Sequence, residues 1–231
     1  MHDETDFTVI ESDIPTRSEI EALSRIHDTP LWFKGIDLSG MDLSRLDLSD
    51  AVFERCAVNE TRFASANLES TRWEGCRGTK AEFRFARLGE ARFCKADLNN
   101  SDWQHARLTS ASFQACKLTG ATFTGASTLG LSFSESLLVS AALQGMSFCK
   151  STLLNLDFSD ADLTDADFRL AVFEGGSLRN ARIRGARFDK ADLRGVNLQG
   201  FTLDDARQFK GAIISESQAA ALLSGLGLTV I

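Results

Sequence analysis

Tyrosine is absent from this 231-residue chain, although it carries 17 phenylalanines, and proline occurs only twice. An average composition would give proline about one position in twenty. Aromatic rings must therefore sit where a hydroxyl would find no partner, and almost every backbone N–H must be free to donate. No stretch approaches the roughly 18 apolar residues that a membrane helix needs, so a soluble protein is expected. The five cysteines form an odd set without CxxC spacing, which argues against both a disulfide framework and a zinc site. The three histidines, His2, His27 and His105, are scattered and match no metal or catalytic pattern. A nucleophile, base and orienting group do not occur as a set, and no glycine-rich phosphate loop follows a strand, so neither an enzyme nor a cofactor is expected. With 32 acids against 25 bases and a net charge of −7, a free-standing basic nucleic-acid binder is disfavoured. The chain opens Met1-His2-Asp3-Glu4-Thr5-Asp6, where a secretory signal would need a positive segment, so the cytoplasm is the expected compartment.

What is present is a period of five. Stepping by five from Phe33 to Leu203 gives 35 positions, of which 13 are Phe, 16 Leu and two Trp (Trp73, Trp103). Two residues before 26 of these 35 stands a small residue, Ala in 17 cases and Cys, Ser, Thr or Gly in nine. The unit is clearest at Ala161-Asp162-Leu163-Thr164-Asp165-Ala166-Asp167-Phe168. A period of five suits neither a strand nor a helix. A chain that turns a corner at every step and closes a square after four steps would bury both the large and the small residue. Stacked squares would pair backbones at about 4.8 Å, giving about nine coils and a length of roughly 40 Å.

These motifs resemble the pentapeptide-repeat family, and the resemblance implies an all-β solenoid, a right-handed quadrilateral β-helix. Asp192-Leu193-Arg194-Gly195-Val196-Asn197-Leu198 and the closing Leu226-Gly227-Leu228-Thr229-Val230-Ile231 resemble the C-terminal region of the quinolone-resistance Qnr branch. The phase does not slip between Leu31 and Ala206, so the projecting loops of plasmid-borne Qnr proteins have no place here, and the loop-free MfpA type is the better match.

Three parts are expected: an N-terminal segment and capping helix (1–30), the repeat helix (31–206) and a C-terminal capping helix with a dimerisation element (207–231). Exposed end coils need covers. Thr16-Arg17-Ser18-Glu19 and Ser215-Glu216-Ser217-Gln218 are capping-box patterns that open a helix at each end. Leu31, Ile36, Met41 and Leu46 put large residues where alanine is usual and would plug the first coil. Gly78 interrupts the large positions, and a small cavity or irregular corner is expected there. Cys56, Cys76 and Cys116 take the small inward position. A Cys56–Cys76 disulfide is conceivable but disfavoured in a reducing compartment.

Charge is uneven: residues 1–70 hold 15 acids and six bases, and residues 71–156 hold six and ten. Candidate acidic lanes are Asp37, Asp42, Asp47 and Asp50, then Asp157, Asp160, Asp162, Asp165 and Asp167. Leu129, Leu137, Val139 and Leu154 fall at outward positions in a stretch with little charge, a candidate apolar contact or a site of local repacking. The resemblance implies a non-enzymatic DNA mimic that binds a type II topoisomerase, DNA gyrase or topoisomerase IV, and protects it from quinolone or natural-product poisons. It also implies a homodimer through the C-terminus, here through Leu222, Leu223, Leu226, Leu228, Val230 and Ile231. A generic scaffold for an unrelated protein partner is the alternative. Neither reading involves direct nucleic-acid or membrane binding.

Overall fold

A computed structural model describes residues 7–11, 15–26, 29–202 and 205–224. It divides into two compact units, 1–132 and 133–231. Both are parallel β-solenoids, and the chain makes about eight turns in all.

The corners explain the period. Every fifth residue from Gly35 to Gly200 has positive φ, between 47° at Asn155 and 88° at Gly200, and 23 of these 34 residues are not glycine. An L-residue in this region costs on the order of 1 kcal/mol, so the corner geometry is imposed by what surrounds it. Two forces impose it. The Leu38 N–H donates to the Ala57 carbonyl at 2.8 Å and the Ala57 N–H to the Ile36 carbonyl at 3.0 Å, and such bonds recur along each unit. Each corner also turns the next large side chain inward, where burial contributes about 1.5–3 kcal/mol. Turn bonds such as Met41 N–H to the Leu38 carbonyl (3.0 Å) close three corners of a coil. Each coil thus has four sides, named here by their central residues: first (Phe33, Phe53, Trp73), second (Leu38, Val58), third (Leu43, Phe63) and fourth (Leu48, Leu68).

In unit 1, strands β1 (Thr8–Ile10), β2 (Leu31–Lys34), β3 (Val52–Glu54), β4 (Arg72–Glu74), β5 (Arg92–Cys94) and β6 (Ser112–Gln114) lie side by side, all parallel and in chain order. β1 was not foreseen: it covers the open edge of β2, pairing Thr8 with Leu31 and Ile10 with Phe33. Helix α1 (Arg17–Ile26) covers the same end. Its capping box forms, with the Thr16 N–H donating to Glu19 at 2.7 Å and the Glu19 N–H to Thr16 Oγ1 at 3.3 Å. Ile20 is fully buried, and Leu31, Ile36 and Leu46 plug the first coil as expected, while Met41 is only half-buried.

The interior of unit 1 holds two aromatic columns at right angles. Phe53 stacks on Trp73 at 3.9 Å, Phe83 on Trp103 at 4.0 Å, and Phe63 meets Trp73 edge-on at 5.4 Å. Where tryptophan replaces phenylalanine, the usual small alanine is replaced too. Thr71 Oγ1 accepts from Trp73 Nε1 at 3.0 Å, and Ser101 Oγ accepts from Trp103 Nε1 at 2.7 Å. Gly78 corrects an expectation, because neither a cavity nor an irregular corner forms. A Cβ there would lie 2.6 Å from Val58 Cγ2 and 2.8 Å from Leu98 Cδ2, so these neighbours have closed over the missing side chain.

Unit 2 repeats the plan with β8 (Thr152–Leu154) paired to β9 (Val172–Glu174) and with further parallel bridges such as Asp157 to Ser177; β7 (Ser132–Ser134) begins at its boundary. After Gly200 the rhythm changes to a 3-10 helix (Asp205–Phe209), started by Asp205 accepting from Thr202 N–H at 2.8 Å. Phe209 is the buried residue there. Helix α2 (Glu216–Ser224) follows, its capping box formed by Ser215 N–H to Gln218 Oε1 at 2.7 Å and Gln218 N–H to Ser215 Oγ at 3.2 Å. Gln218 Nε2 then donates to the Leu193 and Val196 carbonyls, both at 2.8 Å, satisfying acceptors that the last coil would otherwise expose.

Candidate functional site

The first group of acids forms a collar around the first full coil of unit 1, not a lane along one side. Asp37 lies on the second side, Asp42 on the third, Asp47 on the fourth and Asp50 on the corner after it, with φ 60°. Each side-chain acid just before a central residue caps its own turn. The N–H groups of Ser39, Ser44 and Ser49 donate to Asp37, Asp42 and Asp47 at 2.9, 3.0 and 3.1 Å. These serine hydrogen bonds hold the Asp37 and Asp42 carboxyls below the usual range. Asp42 is also the anchor for α1: Arg17 donates to the Asp42 and Ser44 carbonyls and sits 3.3 Å from the Asp42 carboxylate, while Arg62 approaches it at 2.9 Å. Asp37, Asp47 and Asp50 are exposed and, among the described residues, have no ion pair. Asp47 and Asp50 line a hollow of about 220 Å³ with Ser24, Thr29 and Pro30.

The second group of acids is differently placed. Asp157, Asp160, Asp162, Asp165 and Asp167 occupy one coil of unit 2, and the next coil presents arginines. Asp160 meets Arg179 at 3.7 Å, Asp162 meets Arg182 at 2.7 Å, and Asp167 meets both Arg169 and Arg187 at 2.8 Å. Burial raises the Asp162 pKa, but hydrogen bonds from Thr164, Gln144 and Arg182 outweigh burial and bring it to about 2. The Arg169 hydrogen bonds hold Asp167, which is 7% exposed, below its ordinary value. Only Asp157 and Asp165 lack an ion pair among the described residues. A twenty-residue spacing between Asp162 and Arg182 and between Asp167 and Arg187 encodes this neutralisation.

The four apolar candidates do not form one surface within a unit. Leu129, 78% exposed, belongs to unit 1. In unit 2, Leu154 lies on the first side, in β8, whereas Leu137 (41% exposed) and Val139 lie on the second. The structure adds Leu170 and Val172, 44% and 42% exposed, which flank the start of β9. Their spacing of 20 from Lys150 and Thr152 marks them as outward. In unit 1 it adds Glu90, in the same corner column as Asp50, with Ser70 between them; stepping by 20 from Asp50 finds it.

On α2, Leu222 and Leu223 are half-buried, and Leu222 lines a hollow of about 430 Å³ with Val196, Leu198, Phe201 and Ala221. Leu226, Leu228, Val230 and Ile231 lie outside the described residues. Cys56, Cys76 and Cys116 are buried thiols, donating to the carbonyls of Phe33, Phe53 and Phe93 at 3.3, 3.1 and 3.4 Å. The Cys56 thiol and burial push Cys76 up, and burial takes Cys116 to about 11. Among the described residues no three His, Cys, Asp or Glu side chains are grouped to hold a metal, and no helix is long and apolar enough to cross a membrane.

The pentapeptide repeat region profile matches residues 29–103, and the profile of pentapeptide repeats (8 copies) matches 86–126, 132–169 and 161–200. No curated protein matches. Among solved structures, a trypsin-treated QnrB1 variant, a plasmid-mediated fluoroquinolone resistance protein, has a TM-score of 0.74 at 23% identity, covering 84% of this chain and 98% of that one. Full-length QnrB1 also gives 0.74, at 22% identity over 83% and 97% of the two chains. HetL, a pentapeptide repeat protein involved in heterocyst differentiation regulation from the cyanobacterium Nostoc sp. strain PCC 7120, gives 0.46 at 21% identity over 86% and 94%. Both profiles coincide with the stretch in which every fifth residue turns a left-handed corner, and the chain belongs to the pentapeptide-repeat family.

Proposed function

We propose that this protein is a non-enzymatic DNA mimic that binds a type II topoisomerase, DNA gyrase or topoisomerase IV, and protects it from quinolone or natural-product poisons. The observation that carries the reading is the set of exposed carboxylates, Asp37, Asp47 and Asp50, that have no ion pair among the described residues, on a solenoid whose fold matches that of QnrB1. Mimicry of this kind needs fixed negative charge facing a basic groove and no catalytic group. The coil of Asp157 to Asp167 contributes less, because three of its five acids already hold arginines. Partner binding is therefore assigned mainly to unit 1, with Asp157 and Asp165 as lesser contributors in unit 2.

The proposal includes a homodimer through the C-terminal element, supported by half-buried Leu222 beside the hollow it lines, and a cytoplasmic site of action, where the topoisomerase works. The test adds purified protein to gyrase supercoiling and drug-stabilised cleavage reactions. Protection at micromolar protein that falls at least tenfold in the Asp37→Asn/Asp47→Asn/Asp50→Asn variant is expected. No effect on either reaction would sink the reading. A generic scaffold is the second reading, favoured by exposed Leu137 and Val172. It predicts that Leu137→Ser and Val172→Ser abolish partner capture while the triple Asn variant does not. Sedimentation checks the dimer: Leu222→Asp should halve the mass, and an unchanged mass excludes it.

A further inference from the structure

In unit 2 the second side of the last coil ends on an open edge. Elsewhere the chain covers such edges with extended segments. Thr8–Ile10 lies along β2, and Ile213 lies along the first side of the last coil, where it accepts from the Leu193 N–H and donates to the Ala191 carbonyl, both at 2.8 Å. On the second side this ladder stops. One coil earlier, the Leu178 and Asn180 N–H groups donate to the Asn197 and Gln199 carbonyls at 2.9 and 3.1 Å. Their successors, the N–H groups of Leu198 and Gly200, have no hydrogen-bond partner among the described residues. Leu198 is 9% exposed, so water is a poor substitute there. Beside this edge lies the hollow of about 430 Å³ whose apolar lining comes from Val196, Leu198, Phe201, Ala221 and Leu222. Two donors two residues apart, next to an apolar hollow, suit an added strand: its carbonyls take the donors and its alternate side chains take the hollow.

We infer that this edge takes the chain's own closing segment, Leu228-Thr229-Val230-Ile231, as an added strand. Residues 225–231 follow α2 directly, and Ala221 and Leu222 of that helix already border the hollow. Gly225-Leu226-Gly227 spans up to about 10 Å, and its glycines permit a sharp reversal. The coil before sets the register. There the central N–H, Leu178, donates to the carbonyl just before the next central residue, and the corner N–H, Asn180, to the carbonyl just after it. With Val230 as the central residue, the Thr229 carbonyl meets the Leu198 N–H and the Ile231 carbonyl meets the Gly200 N–H. Val230 then covers Leu198 and Leu228 covers Val196, while Thr229 and Ile231 face outward. Three of these four residues are β-branched and favour a strand. Tethering keeps the segment at a local concentration on the order of millimolar, so a second chain is not needed. The inference depends on neither the topoisomerase reading nor the dimer, and each can fail alone.

The test is amide hydrogen exchange on the full chain, read residue by residue by NMR. The Leu198 and Gly200 amides should exchange at least about a hundredfold more slowly than open amides. Val230→Asp sets a charge at an inward position and should return both to open-amide rates, whereas Thr229→Asp, an outward change, should leave both slow. The Leu178 amide, inside the ladder, reports the fold and should stay slow in every variant. Isotope-labelled Val230→Asp chains equilibrated with excess unlabelled parent protein should remain fast at Leu198 and Gly200. Open-amide rates at Gly200 in the parent protein overturn the inference, as does slow exchange that survives Val230→Asp. Slow exchange restored by the unlabelled parent protein assigns the strand to a second copy and overturns it too.

Discussion

In unit 1 two ring columns continue through the coils, from Phe33 to Phe113 and from Phe63 to Phe123, whereas in unit 2 a shorter column stacks Phe148, Phe168 and Phe188 in series. The placement of the acids differs as well. Unit 2 sets acids on one coil against arginines on the next, and unit 1 leaves Asp37, Asp47 and Asp50 without ion pairs among the described residues. One repeat thus supports two interiors, continuous ring columns in unit 1 and a larger share of leucines in unit 2, while ion pairs join successive coils in both, as Arg62 to Asp42 at 2.9 Å and Arg182 to Asp162 at 2.7 Å. Both units pair acids with their own arginines, as Asp42 with Arg62 and Asp162 with Arg182, and the exposed Asp37, Asp47 and Asp50, without ion pairs among the described residues, are the ones able to meet a basic partner.

The largest expected effect tests the ring columns. Trp73→Ala should cost about 3–5 kcal/mol in urea unfolding, by lost burial and a cavity between Phe53 and Phe93. A loss below about 1 kcal/mol would show that the columns are dispensable. Next, Gly78→Ala should destabilise by about 1–3 kcal/mol, because the added methyl meets Val58 and Leu98; any stabilisation would mean that the coil holds spare room after all.

Acid titration sharpens the contrast of charge. Asp162 has its pKa lowered to about 2 from 3.8, so the stability it contributes is present above about pH 4 and is lost as pH falls toward 2. All three tryptophans lie in unit 1. Far-ultraviolet circular dichroism should therefore decline at a higher pH than tryptophan fluorescence changes, and coincident transitions would erase the distinction. The smallest effect concerns corners: Leu170→Asn should stabilise by about 0.5–1 kcal/mol, since Leu170 has φ 60° with 44% of its surface exposed. Thermal melting reads it, and a lower melting temperature would count against corner strain.

Much of the fold was legible because the pattern repeats a local rule. The large and small inward residues, the two capping boxes at Thr16 and Ser215, and the plugging role of Leu31, Ile36 and Leu46 depend on residue size and hydrogen-bonding groups alone. β1 was not legible, because Thr8-Val9-Ile10 is too short to signal a strand without the β2 edge it covers. The fate of Gly78 was hidden because side chains from the coils before and after it moved in. Among the candidate acids, sequence counts treated Asp37 and Asp162 alike. Their difference lies in what stands twenty residues further on, Ala57 or Arg182.

By itself the sequence determined the five-residue period, the dry interior that excludes tyrosine hydroxyls, and the need for backbone donors that excludes proline. Size and polarity at fixed intervals suffice for that. Only the tertiary structure decided that 23 non-glycine residues hold left-handed corners, that hydroxyls at Thr71 and Ser101 serve the buried indoles, and which carboxylates lack an ion pair among the described residues. Each of these depends on contacts made by stacking or by turning the chain, and such contacts exist only once the coils have closed.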